Sequence, residues 1–292
     1  MDLASLAVFC AVAREQSITR AAELLGRVPS GVTTRIQQLE ADIDAALFER
    51  GQRRMVLTEK GRAYLVYAER ILALADEARQ ALHPEHPCGT LRIGSMESTA
   101  ASRLPLPLAR FNTAHPQVRL DLSTGPTAAL LDALREGRID AALVALPKGA
   151  EHDDLAAMPV FSEELLLLLP PSHAPVAGPA DIAPRSLAAF AAGCTYRALA
   201  EDWLTESSTR AHRFTLHEVA SYHAMFACTA AGACVSIMPR SVAALMATQA
   251  PLPHVSLGRF ETSLVWRKGF STPALASFRD CLADAGDCHA AE

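Results

Sequence analysis

The chain has 292 residues, 50% hydrophobic and 20% charged, with a formal net charge of −5. This balance calls for packed cores in two or three modest domains, and its acidic total does not exclude a nucleic-acid partner, which depends on where the cations lie. Seven cysteines, an odd number with no CxxC and no His/Cys group at zinc spacing, argue against a disulfide framework or a metal site and for a reducing cytosol.

The first stretch, LASLAVFCAVA, has the look of a signal-peptide core, but it follows Asp2 with no Lys or Arg before it. Leu3, Leu6 and Phe9 recur at helical spacing, so it reads as a first helix. Ala21, Ala22, Leu24 and Leu25 form the apolar side of a second helix, and Gly26 supplies a residue tolerant of positive φ at its end. In the third, Val32, Ile36, Leu39 and Ile43 mark a buried face. Ser30, Thr33, Thr34 and Gln37 fall opposite, with Arg35 and Gln38 on the flank and no carboxylate before Glu40. Hydroxyls, amides and one guanidinium suit the mixed donors and acceptors of the DNA major groove. Spacing alone leaves an ordinary helical hairpin open. Next, Arg50, Arg53 and Arg54 crowd around Gly51 and Gln52, ahead of the alternating Met55, Val56 and Leu57. This reads as a β-hairpin wing with cations at its tip for backbone phosphates, or as a solvated loop.

The order FCAVAREQSITRAAELL, VTTRIQQLE and ALFERGQRRMVLTEKG resembles the amino-terminal domain of LysR-type transcriptional regulators. Three positions depart from that pattern. Val28, which cannot cap, stands where serine is common; Gly31 is a poor helix former; Asp44 stands where the family turns on glycine. The resemblance implies an α+β multidomain chain, with a winged helix-turn-helix over 1–58, a linker helix and hinge over 59–89, and a two-lobed α/β effector domain resembling periplasmic solute-binding proteins. Its lobes would be 90–161 plus 262–292 and 162–261, with crossings near Phe161 and Glu261. The implied partners are a dyad-symmetric operator, a small effector, RNA polymerase and further copies of the chain, in a cytoplasmic homodimer or homotetramer.

After the wing, Thr58 is placed to cap a helix reaching about Leu82. Gly61, Leu65, Ala68, Leu72 and Ala75 keep a three-four alternation, the seam two helices need to pair. Leu65, Ala68, Leu72 and Ala75 are therefore expected in a dimer interface, the alternative being packing within the same domain. HPEHPCG, from His83 to Gly89, reads as a hinge because proline ends the helix.

From Thr90 strands and helices alternate: LRIGS, Leu104 to Ala114, VRLDLST, Thr127 to Arg135 and DAALVA. This order predicts a parallel sheet with helices on its faces. The second run starts at EELLLLLP and passes an Ala- and Pro-rich loop over 172–184. It continues through YRALAEDWL, FTLHEVA, the helix Tyr222 to Ala231, CVSIMP, ETSLVWR and the helix Thr272 to Ala285. The Leu165–Leu169 run is too short to cross a bilayer.

No GxSxG, Walker or GxGxxG pattern is present, so neither catalysis nor a cofactor is expected. Small polar residues do stand where strands hand over to helices, the usual ligand position in such sheets. These are Ser98 and Thr99, Thr127, Tyr196 and Arg197, then Ser221, Tyr222 and His223. Taken singly, the Ser and Thr are read as helix caps; together, with the resemblance, the four places are expected to form an effector site, with Arg197 pointing to a carboxylate. The rivals are a transport solute-binding protein and an enzyme on a related two-lobed fold.

Overall fold

The computed structural model describes residues 2–49, 54–80, 82, 87–146, 152–205, 214–246 and 251–287. Three short helices come first: α1 (Leu3–Glu15), α2 (Ile18–Leu24) and α3 (Pro29–Asp42). Each starts where a local signal allows. The Asp2 carboxylate accepts from the Ser5 amide at 2.7 Å and Ser17 accepts from the Arg20 amide at 3.3 Å. At α3, Val28 offers no oxygen and Pro29 occupies the first helical position. Val32, Ile36 and Leu39 are buried with Leu6, Phe9 and Val12 of α1 and Ala21 and Ala22 of α2. Leu24, expected inside, is 60% exposed, and Leu25 takes the inner place at the end of that helix. Gly26 turns the chain at φ 61°, and Asp44 makes the same turn at φ 48° despite its side chain. Phe48 and Leu57 pair antiparallel at the base of the wing. Arg50 and Arg53, expected at its tip, lie outside the described residues; Arg54 is exposed.

The linker helix α4 (Glu59–Gln80) is capped by Thr58, whose hydroxyl accepts from the Gly61 amide at 2.9 Å. Gly61 presses on the wing base so closely that a Cβ there would stand 2.1 Å from the Leu47 carbonyl oxygen. Phe9 meets Tyr64 of α4 and Phe48 of the wing base edge-on, with centroids 5.4 and 5.5 Å away. Hence the expected seam is largely occupied at home. Ala68 is fully buried, and Leu65 and Leu72 pack on the core of the three helices. The interface assignment of Ala68 is corrected on this ground: a side chain already sealed inside its own domain has no surface for a partner. Ala75 is half-buried. The exposed apolar line on α4 is another one, Tyr67, Ile71 and Leu74, at 61%, 37% and 65% exposure.

The remaining chain builds one eight-stranded sheet in the order β2-β1-β3-β8-β4-β7-β5-β6. Its first half holds β1 (Gly89–Ser95), β2 (Val118–Thr124) and β3 (Ala141–Val144), paired in parallel and interleaved with α5 (Glu97–Ser102), α6 (Pro105–Ala114) and α7 (Thr127–Arg135). The other half holds β5 (Ser186–Ala189), β6 (Thr215–Glu218) and β7 (Val235–Pro239), with α8 (Thr195–Thr205), α9 (Tyr222–Ala230) and α10 (Arg240–Leu245). The halves are joined by two long antiparallel strands, β4 (Leu155–Leu168) and β8 (His254–Arg267), before the final helix α11 (Pro273–Asp287). Register breaks fall at Pro159/Phe161 and Glu164/Leu166, on either side of the pairs Phe161↔Thr262 and Ser162↔Glu261. In β4 the positions between Leu155 and Phe161 alternate half-buried and exposed, whereas Leu165–Leu168 are buried throughout. An unbroken leucine run is what a strand covered on both faces requires.

Five features go beyond the expected elements. Strand β4 starts eight residues before Glu163 and β8 seven before Glu261, because each feeds both lobes. The short α5, β5 and α10 carry too few residues to display a period.

Candidate functional site

Two places concentrate polar side chains on ordered elements. The first is the outer face of α3, where Ser30, Thr34, Gln37 and Gln38 are exposed and Thr33 is half-buried. Thr33 donates its hydroxyl to the Pro29 carbonyl at 3.0 Å, so it acts on its own helix. Arg35 lies 3.2 Å from the Asp2 carboxylate, which ties α3 to the start of α1 and neutralises the helix's one cation before Glu40. Glu40 also has structural work: its Oε1 accepts from the Leu47 and Phe48 amides at 2.6 and 3.1 Å, fixing the strand that leads into the wing. What remains for a groove is a face of neutral donors and acceptors, Thr34, Gln37, Gln38 and Ser30.

The second place is a cavity of about 260 Å³ at the carboxyl ends of the strands. Ser98, Thr127, Tyr196 and Tyr222 all line it, as expected from their positions after strands. Met96, Glu97, Phe190 and Cys194 complete the wall, with Thr124, Gly125, Pro126, Ala191 and Ala220. Phe190 and Tyr222 meet edge-to-face, centroids 4.8 Å apart. The lobes touch directly around this space. The Thr195 hydroxyl lies 3.1 Å from that of Thr127 and 2.8 Å from the Ala145 carbonyl oxygen, and the Ala128 amide donates to the Gly193 carbonyl at 3.2 Å. On another edge the Ser102 and Ser241 hydroxyls are 3.0 Å apart. Gly193 is at φ 88°, and a Cβ there would come within 3.0 Å of Ala128, so a glycine permits this approach.

Four expected residues lie outside the lining. Thr99 is buried, and its carbonyl accepts from the Arg103 and Leu104 amides at the end of α5. Ser221 is the cap of α9, accepting from the Ala224 amide at 3.4 Å. His223 is exposed, one turn position beyond the wall. Arg197 is corrected most firmly. Its guanidinium is 3.0 Å from Glu201 and 3.0 Å from Glu218, and it also donates to the Phe190 carbonyl at 3.2 Å. Two carboxylates already match its charge, so it does not call for a carboxylate ligand.

Burial governs the ionisable groups here. It pushes the Tyr222 hydroxyl well above its ordinary range, against a hydrogen bond from Ser98 that favours the charged form. Burial likewise raises Tyr196, whose hydroxyl sits beside Thr262 and the part-buried Arg103–Glu163 ion pair at the lobe crossing. The Cys194 thiol is raised by burial, opposed by the Arg197 and Tyr196 amides that point at its sulfur. A thiol held protonated is a poor nucleophile. Glu97 is raised by burial, partly offset by the charge of His223. Glu97 and Thr195 escaped the reading of the residues. Their signal was present: each stands within two positions of a residue singled out at a strand-to-helix handover. Among the described residues no cluster of three or more metal-binding side chains occurs, and no helix is long and apolar enough to cross a membrane.

Comparison with known proteins matches the chain over both domains. Residues 3–62 match the model of the bacterial regulatory helix-turn-helix proteins of the lysR family, and residues 84–287 match the LysR substrate binding domain. The HTH-type transcriptional regulator GltR of Bacillus subtilis (strain 168) is 36% identical over 290 residues, covering 97% of each chain. The uncharacterized HTH-type transcriptional regulator YusT of the same strain is 37% identical over 287 residues, covering 96% of this chain and 95% of that one. The crystal structure of CbnR, a LysR family transcriptional regulator, aligns with TM-score 0.68 at 25% identity over 98% of this chain and 99% of that chain. Full-length CbnR complexed with its target DNA aligns with TM-score 0.66 at 26% identity, covering 98% and 100%.

Proposed function

The chain belongs to the LysR family of DNA-binding transcriptional regulators, and from that premise we propose how its two polar places divide the work. It is a regulator with a helix-turn-helix, a linker helix and a two-lobed effector-binding domain, not an enzyme. In this reading α3 enters the major groove of an operator, with Thr34, Gln37 and Gln38 on base edges and Ser30, Arg53 and Arg54 on or near phosphates. Arg50 joins them from the wing. A small effector in the cavity modulates that binding.

The observation that carries the effector role is the ring of bonds between lobes around the cavity, from Thr127, Ala128 and Ala145 to Gly193 and Thr195. A ligand contacting Ser98 and Thr127 on one lobe and Tyr222 on the other favours the closed arrangement by its differential affinity for it. The lobes are taken as 90–161 plus 262–292 and 162–261. Self-association is assigned to the exposed line Tyr67, Ile71 and Leu74 of α4, in a dimer or tetramer. The need for it is plain from the reading face: with Arg35 matched by Asp2, one copy offers few cations to phosphates. RNA polymerase is the further partner of this reading, and the cytoplasm its compartment.

The test is operator retention by the full chain with and without a ligand found in a thermal-shift screen. A Ser98→Ala, Thr127→Ala variant is expected to keep operator binding and lose the response. A ligand that stabilises and regulates this variant as it does the parent would place its site elsewhere.

A further inference from the structure

We infer that the cavity takes a small protonated amine with an apolar body, its ammonium group donating to Glu97. This rests on the reading of the cavity as the effector site.

Several of the donors an anion would use are already engaged. The Ala128 amide, at the start of α7, donates to Gly193. The amides of Tyr196 and Arg197, at the start of α8, point at the Cys194 sulfur. At α9 the Ala224 amide is capped by Ser221. The six residues of α5 make less than two turns and build little end charge. Arg197 lies outside the lining, with Glu201 and Glu218 against it.

An acceptor is left over instead. Glu97 lines the cavity, and its Oε2 is buried with no hydrogen-bond partner. Every other lining side chain is neutral in its ordinary form. Of the nearby hydroxyls, Ser98 is bonded to Tyr222 and Thr127 lies against Thr195. His223, which acts on Glu97 from outside, is exposed, so water screens that interaction. A carboxylate withdrawn from water without a donor is costly, and a ligand ammonium supplies both the donor and the counter-charge. The remaining wall suits an apolar body: Met96, Pro126, Phe190 and Tyr222. The rings also attract a cation through their faces. The 260 Å³ volume, about nine waters' share of liquid at ~30 Å³ each, limits the ligand to a small metabolite.

The experiment is calorimetric titration of the full chain near neutral pH with matched probes: phenethylamine, 2-phenylethanol and phenylacetate, then hexylamine, hexanol and hexanoate. Two variants accompany it. Glu97→Gln removes the charge, and Ala220→Trp plugs the mouth from an exposed wall position. The amines are expected to bind more tightly than their alcohol and carboxylate counterparts. Glu97→Gln should weaken the amines by roughly tenfold or more while leaving the alcohols unchanged, and Ala220→Trp should abolish binding. A preference for alcohol or carboxylate that Ala220→Trp abolishes would overturn the amine class and leave the cavity standing as the effector site. Amine binding that survives Ala220→Trp would overturn the cavity as the site. Absence of binding by both amines at millimolar concentration would overturn the inference, whatever the thermal screen finds for the cavity.

Discussion

A charge placed at Leu74 should separate the copies of this protein without harming either domain. Leu74 is 65% exposed on α4, so nearly two-thirds of its surface remains to be covered by a partner. Full burial of a leucine is worth about 1.5–3 kcal/mol, so the uncovered part contributes about 1–2 kcal/mol. In a two-fold dimer each position counts twice, giving about 2–4 kcal/mol per dimer, or roughly 30- to 1,000-fold in Kd. Leu74→Glu loses that and adds two charges that must be paired or rehydrated, which deepens the effect. Sedimentation velocity over a concentration series reads it directly. The informative control is Leu72→Glu, two residues away. Leu72 packs against the core of its own domain, so this change should lower the melting temperature of the helix-turn-helix unit. Unchanged association for Leu74→Glu, together with dissociation of a still-folded Leu72→Glu protein, would refute the assignment of the exposed line.

Four further outcomes are expected. Gln37→Ala and Thr34→Ala should each change operator preference at a cost of about 1–3 kcal/mol per lost base contact, measured by binding to operator variants; unchanged preference would remove this face from the groove. Gly61→Ala should destabilise the first unit by about 1–3 kcal/mol or more in chemical denaturation, because its Cβ would meet the Leu47 carbonyl. Glu164 is held at about 2, below its ordinary 4.5, by hydrogen bonds from Arg240 and then Ser256. A depressed carboxyl stabilises the fold above its unfolded value and loses that contribution as pH falls toward 2. The thermal midpoint of Arg240→Gln should therefore fall less steeply than the parent's between these values. Finally, Arg197→Gln should leave effector affinity within about threefold, since the pairs it breaks, with Glu201 and Glu218, lie outside the cavity and are worth little when partly exposed. A loss of two orders of magnitude in calorimetry would return Arg197 to the site.

Local chemistry carried much of this protein's plan in plain view. The buried line Val32, Ile36 and Leu39, the cap at Thr58 and the turn at Gly26 depend on residues within a few positions of one another, so their signals survive in the linear order. The helix-turn-helix and linker helix were legible for that reason; beyond them the residues gave only α/β alternation, and the two-lobed plan came from the family resemblance. Four handover positions, Ser98, Thr127, Tyr196 and Tyr222, were legible as places after strand ends, and the fold brings them to one cavity. Partners distant in sequence were not. The same polar residue caps a helix, pairs with an acid or lines a cavity according to what folds against it. Ser221 caps, and Arg197 meets Glu218 across 21 positions. Arg35 meets Asp2 across 33. The heptad-like seam of α4 shows the same limit. Spacing says that one face is apolar, but only the packing of Phe9 and Tyr64 decides that Ala68 faces inward and Leu74 outward. Glu97 owes its place in the argument to tertiary structure alone: its unmatched oxygen exists because the surrounding lobes exclude water and supply no donor.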